Sequence, residues 1–182
     1  MSINDFITRR RSVRRFTSED IPDEVINKLL ESVRWTPSWA NSQCWEVIVV
    51  RRQDLKDKLK DILSPKNPAT LAVQNAPVVI AMCAKLGKAG FYNNEPMTRF
   101  GDWFLYDTGL ATQNLILTAH SLGLGSVIAG GMDQYKAKDI LDVPGGYELV
   151  CLLPIGYPDQ EPSPPPRREI EEFTHNDVFE EK

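Results

Sequence analysis

Arg9-Arg10-Arg11-Ser12-Val13-Arg14-Arg15-Phe16 and, one helix later, Thr36-Pro37-Ser38-Trp39-Ala40-Asn41-Ser42-Gln43-Cys44-Trp45 are the stretches that decide the reading of this chain. The first holds five arginines and a serine in eight residues. Arginine presents a planar fork of donors that matches phosphate oxygens, and serine adds a short donor beside it. Three readings are open to it: a phosphate grip, a solvated basic turn, or a nucleic-acid arm. The arm lacks interleaved aromatics. The second stretch places Ser, Asn and Gln just before an apolar segment. Such a loop either aims donors and acceptors at one planar ligand or caps its own backbone.

Working outward, residues 3–10 read as a short helix with Ser2 as N-cap. Val25, Ile26, Leu29, Leu30 and Val33 follow helical spacing, so a second helix is expected over residues 23–34, ended by Pro37. Residues 46–50 and 77–84 read as strands, the latter apolar enough to be covered on both faces. Residues 54–63 read as an amphipathic helix, and Pro65 and Pro68 as breaks. Residues 85–101 read as a loop or lid, residues 102–122 as a central helix closed by Gly123. A short strand is expected at 126–129, a helix capped by Asp133 through Leu141, and a last strand at 148–155. From Gly156 the chain is rich in proline and charge, which leaves it disordered or pinned to a partner surface. Alternating helices and apolar strands suggest helices flanking a central sheet.

Bulk properties narrow the class. The chain of 182 residues suits one domain, and 42% hydrophobic with 25% charged residues is ordinary for a soluble globular protein. A net charge of -4 is opposite to that of most nucleic-acid binders. No run approaches a membrane span. Residues 1–8 contain Asn4 and Asp5, so no signal peptide is expected. Cys44, Cys83 and Cys151 are far apart and form neither a disulfide framework nor a zinc pattern. A cytoplasmic protein without nucleic-acid or membrane partners is expected. His120 and His175 are isolated, and no metal site is expected. No GxGxxG follows a strand.

The order RRSVRRF, helix, PSWANSQCW, strand resembles the nitroreductase-like flavoprotein family. Asn75-Ala76-Pro77, Tyr106-Asp107-Thr108-Gly109, Gln113-Asn114-Leu115, Leu122-Gly123-Leu124-Gly125-Ser126, Ile155-Gly156-Tyr157-Pro158 and Pro166-Arg167-Arg168 extend the resemblance over residues 3–172. It implies an α+β fold, an α/β/α sandwich with a mostly antiparallel sheet, in an intertwined homodimer. Residues 157–182 are then a tail packing on the partner subunit. It also implies FMN as cofactor and NADH or NADPH as electron donor. Arg10, Ser12 and Arg14 contact phosphate, ribityl or the pyrimidine edge in this reading, and Arg11 contributes at least its backbone. Pro37, Ser38 and Asn41 border the isoalloxazine, partly from the other subunit. Gly130 and Gly131 bring N–H groups near flavin N5 and O4, and Arg167 closes on the phosphate. No catalytic side chain is assigned, because the flavin carries the chemistry. The reaction implied is ping-pong two-electron reduction of nitroaromatics, quinones or similar electrophiles.

The sequence departs from the family pattern in places. Residues 68–74 show no match to the ribityl-contacting residue of some members, and Trp39 is bulky for the flavin loop. It either narrows the pocket or packs in a dimer interface. Phe91, Tyr92, Met97, Phe100, Trp103 and Phe104 read as an apolar wall or as interface core. Two rival readings are a dehalogenase or flavin-consuming enzyme on the same scaffold, and a non-enzymatic flavin- or anion-binding module.

Overall fold

The computed structural model describes residues 3–181, so the expected Ser2 cap lies outside the described residues. Among those residues, α1 spans Ile3–Arg9, one residue short of the expectation. Helix α2 spans Asp23–Arg34, as the periodicity required. Asp23 and Glu24 complement its positive end and Arg34 its negative end, while Ile26, Leu29 and Val33 form the buried face. Strand β1 is Trp45–Val50, α3 is Gln53–Asp61 and β2 is Val78–Lys85. The central helix α5 is Phe104–Ser121, trimmed at both ends relative to the expectation. Helix α6 is Gln134–Ile140, and its cap Asp133 accepts the Lys136 N–H at 3.1 Å. Strand β6 is Tyr147–Gly156.

Three segments differ from the sequence reading. Beyond Pro68, taken as a break, the chain forms helix α4, Thr70–Asn75, for which no element was expected and which buries Ala72 and Val73. Residues 85–101, taken as a loop or lid, contain a hairpin of β3, Phe91–Tyr92, and β4, Glu95–Pro96. Its turn, Asn93-Asn94, has positive φ at both positions, the geometry that two-residue hairpins favour. The strand expected at 126–129 is shorter: β5 is Gly125–Ser126, and beyond it Ala129 alone bridges Leu152.

The sheet runs β1-β2-β6-β5 with every adjacent pair antiparallel. Alternation along β2 divides the core. Val79, Ala81 and Cys83 pack among residues of α3, α4 and α6. Val78, Ile80 and Met82 pack among those of α2 and α5. A bulge in β6 opposite Met82 and Cys83 switches its alternation, so Cys151, Leu153 and Ile155 face α2 and α5 but Leu149 faces the other layer. Both faces are thereby covered by helices, giving the expected α/β/α layering. The tail beyond residue 157 has one short 3-10 turn, Ile170–Glu172, and exposes Ile170, Phe173, Val178 and Phe179.

Candidate functional site

After α1 the chain turns extended. The Val13 N–H donates to the Ser126 carbonyl at 2.9 Å, beside a bridge between Ser12 and Ser126. Val13 is buried against Gly125. That anchor leaves Arg10, Arg11, Ser12 and Arg14 lining a cavity of about 280 Å³, closed by Ser163 and Arg167 from the tail. The cavity is lined by four arginines and no carboxylate. Burial, then the neighbouring charges of Arg11 and Arg167, pushes the Arg10 guanidinium below its ordinary range. The Arg14 Nε is buried and has no hydrogen-bond partner. A buried donor without an acceptor is costly, and a cluster of like charges adds to the cost. An anion in this cavity would supply the missing acceptor and offset the clustered charge.

The second stretch forms a strained loop. Trp39–Asn41 make one 3-10 turn, and Ala40, Asn41 and Gln43 take φ of 43°, 57° and 46° without a glycine among them. Ser38 Oγ accepts the Gln43 N–H at 3.0 Å, and Gln43 Nε2 donates to Asn41 Oδ1 at 3.2 Å. Pro37 and Asn41 line a second cavity of about 400 Å³ with Arg34, Trp35, Thr36 and Gln43. Asn114 Nδ2 donates to Thr36 Oγ1 at 2.9 Å, tying the entry of the loop to α5. Trp39 packs on Trp103 at 5.1 Å between ring centroids, and Trp103 in turn meets Tyr106 and Phe100. Trp103 Nε1 donates to Thr98 Oγ1 at 2.7 Å, so the excursion through residues 89–103 closes around this ring. Phe104 joins Trp103 and Trp39 around Cys44, Ala84 and Ala89, whereas Tyr92, Met97 and Phe100 are exposed.

Gly130 and Gly131 lie beyond the sheet. The Gly131 carbonyl accepts from the Ser64 N–H at 2.9 Å and from Asn67 Nδ2 at 3.0 Å, and the Gly130 carbonyl from Gln134 Nε2 at 3.1 Å. Their carbonyls are engaged, while neither N–H donates to an acceptor among the described residues. The expected site residues thus fall into three groups in one chain. Arg10, Arg11, Ser12, Arg14 and Arg167 share the first cavity, Pro37 and Asn41 share the second, and Ser38, in the same loop as the latter pair, and the two glycines line neither.

Asp107, quoted in the sequence only within a helical motif, is given no role there. It is buried in α5, and its carboxylate accepts the Trp39 N–H at 3.0 Å and the Ser42 hydroxyl at 3.2 Å. A lone carboxylate inside an otherwise apolar helical stretch was the available signal. His120 meets Phe6 edge-on, and burial together with Arg10 and Arg11 lowers its pKa. Among the described residues no cluster of His, Cys, Asp or Glu could hold a metal ion.

All three thiols are buried and unbridged. Burial, then Asp107 and Asp102, pushes Cys44 from 9.0 up to about 11. Burial, with a smaller push from Cys151, raises Cys83 to about 12, and burial raises Cys151 to about 11. The unfolded thiols ionise first, so this contribution to stability is whole below about pH 9 and is lost as pH rises through 11 to 12. Native protein is expected to resist an aromatic disulfide reagent at pH 8, and its urea midpoint to fall between pH 9 and 11. Prompt labelling of the native thiols at pH 8 contradicts this assignment.

A sheet covered on both faces, with an arginine-lined cavity at the edge where the N-terminal segment joins β5, defines an α+β protein whose charge suits an anionic ligand. The model of the nitroreductase family matches residues 7–157. The chain belongs to that family. A provisionally described NADH dehydrogenase/NAD(P)H nitroreductase of Archaeoglobus fulgidus is 31% identical over 161 residues, 85% of this chain and 84% of the relative. The FMN reductase [NAD(P)H] of Bacillus subtilis is 26% identical over 184 residues, 95% of this chain and 72% of the relative. The crystal structure of a nitroreductase family protein from Clostridium novyi NT superimposes with a TM-score of 0.78 at 26% identity, covering 87% of this chain and 86% of that one.

Proposed function

We propose that the protein is an FMN-dependent oxidoreductase that draws electrons from NADH or NADPH and reduces small electrophilic acceptors such as nitroaromatics and quinones. The observation that carries this reading is the arginine cavity with its orphaned Arg14 Nε. A phosphate-bearing ligand supplies the acceptor that Nε lacks and relieves the repulsion around Arg10. The residues present therefore fit FMN. Arg10, Ser12, Arg14 and Arg167 hold its phosphate end and polar edge, and Arg11 adds to the positive field. Pro37, Ser38 and Asn41 border the ring, and the N–H groups of Gly130 and Gly131 are free to donate to it. When bound, the flavin supplies the two-electron chemistry. The protein's own work is to grip, orient and shield.

The separation of the three groups within one chain supports a homodimer, in which the 37–41 loop of one copy completes the site of the other. Leu105 and Tyr106 on α5, and Ile170, Phe173, Val178 and Phe179 in the tail, are exposed apolar residues of the kind a second copy covers. In this reading residues 1–182 are one domain, with 157–182 packing on the partner. Among the described residues no helix is long and apolar enough to cross a membrane, and the negative net charge fits a cytoplasmic enzyme of small molecules. Donor and acceptor occupy one site in turn, so initial rates with NAD(P)H and a quinone are expected to give parallel double-reciprocal lines. Intersecting lines contradict the ping-pong scheme.

A further inference from the structure

Asp107 is 1% exposed, and no Lys or Arg of the described residues pairs with it. A buried carboxylate without a cation persists only where hydrogen bonds gather on it. Here the donors come from a single loop. The Trp39 N–H reaches both oxygens, at 3.2 and 3.0 Å. The Ser42 hydroxyl donates at 3.2 Å, and the Cys44 Sγ lies at 3.9 Å. These donors bracket Ala40 and Asn41, which together with Gln43 take left-handed backbone geometry. Left-handed geometry is unfavourable for a side chain with Cβ, and glycine, which adopts it freely, does not occur between residues 35 and 45. The loop's own bonds, from the Gln43 N–H to Ser38 Oγ and from Gln43 Nε2 to Asn41 Oδ1, support this path locally. Asp107 on α5 adds a second hold from more than sixty residues away in sequence.

We propose that Asp107 is a positioning residue for the substrate-side loop: its carboxylate holds residues 38–44 in the path that presents Pro37 and Asn41 to the ligand, without touching the ligand itself. The proposal rests on the FMN reading for its consequence, but not for the clamp. Leucine copies the branched shape of aspartate without its acceptors, and asparagine keeps one acceptor. Loss of function is therefore expected to follow the order Asp107→Leu, then Asp107→Asn. Ala40→Gly added to Asp107→Leu removes the cost of one left-handed residue and is expected to restore part of what was lost, a response that a general packing defect does not give.

The test uses two readouts on the full chain. The first is the near-ultraviolet circular dichroism of the protein without FMN, which senses the Trp39–Trp103 pair, 5.1 Å apart. The second is FMN affinity, from quenching of flavin fluorescence on titration. Asp107→Leu is expected to lose the tryptophan-pair signal and bind FMN about tenfold more weakly, with far-ultraviolet dichroism unchanged. If that variant fails to fold, Ser42→Ala, which removes one donor from the loop, is expected to weaken FMN binding about threefold. An unchanged near-ultraviolet spectrum in Asp107→Leu overturns the clamp, as does a Ser42→Ala protein that binds FMN as wild type does. A lost tryptophan signal with wild-type FMN affinity overturns the link between loop and ligand. Should the wild type itself refuse FMN, the FMN reading fails, and the dichroism still decides the clamp.

Discussion

Arg14→Ala is expected to weaken FMN binding by about 10- to 100-fold while leaving the protein without FMN at least as stable as wild type. A hydrogen bond to a charged group is worth about 1.5–3 kcal/mol when its partner is lost, and every 1.4 kcal/mol is about tenfold in affinity. Arg14 contributes such a donor, and its Nε is buried with nothing to bind within the chain. Removing it deletes an unsatisfied buried group and one of four clustered positive charges. The two effects therefore run in opposite directions: ligand affinity falls, and the thermal midpoint without FMN holds or rises. Fluorescence titration and thermal unfolding measure them separately. An Arg14→Ala protein that retains FMN as tightly as wild type removes Arg14 from the flavin site. One that loses both FMN and cooperative unfolding shows that the arginine is structural.

Gly125→Ala is expected to cost about 1–3 kcal/mol, the usual penalty of overpacking. For a chain of this size that is a fall of roughly 3–10 °C in the thermal midpoint. A Cβ at residue 125 stands 2.7 Å from Val13 Cβ, 2.8 Å from Cγ1 and 2.9 Å from Cγ2. Val13 is the buried anchor between Ser12 and Arg14, so the displacement is passed to both, and FMN affinity is expected to fall several-fold with stability. Gly145→Ala is the control, since a Cβ there meets nothing within 4 Å. Val13→Gly in the Gly125→Ala background removes all three clashing atoms, so the double variant is expected to be less destabilised than the two single effects sum to. Strict additivity, or a Gly125→Ala protein indistinguishable from Gly145→Ala, contradicts the close approach of β5 to the arginine segment.

What the sequence disclosed follows from the range of each interaction. Helix α2 was legible to its ends because both of its signals are local: a buried stripe spaced at three and four residues, and Pro37 just beyond it. The Asp133 cap was legible for the same reason, its acceptor lying three residues from its donor. Helix α4 was not, because Thr70–Asn75 is too short to show a period and owes its form to the burial of Ala72 and Val73 under the sheet. The β3–β4 hairpin carried a readable mark, Asn93-Asn94, obscured by strands of only two residues.

The site divides along the same line. The arginine cluster stands out in sequence because its members are contiguous. That Arg14 is the one with an orphaned nitrogen is a property of packing, and no pattern in residues 9–16 marks it. The loop at 37–45 was visible as a set of donors and acceptors, but its geometry depends on Asp107, 68 residues away from Trp39 and on another element. The assignment of Gly130 and Gly131 to the site rests on family resemblance alone, and the bonds that Ser64, Asn67 and Gln134 make to their carbonyls carry no mark in the sequence around them.

The central claim is that this chain holds FMN and reduces it with NAD(P)H. The visible absorbance spectrum of the purified protein under nitrogen, before and after adding NADH and then NADPH, tests it most directly. A flavin spectrum that bleaches on adding one or both donors is the predicted result, and it identifies the donor at the same time. A colourless protein that stays free of FMN when given an excess contradicts the account and returns the arginine cavity to some other anion.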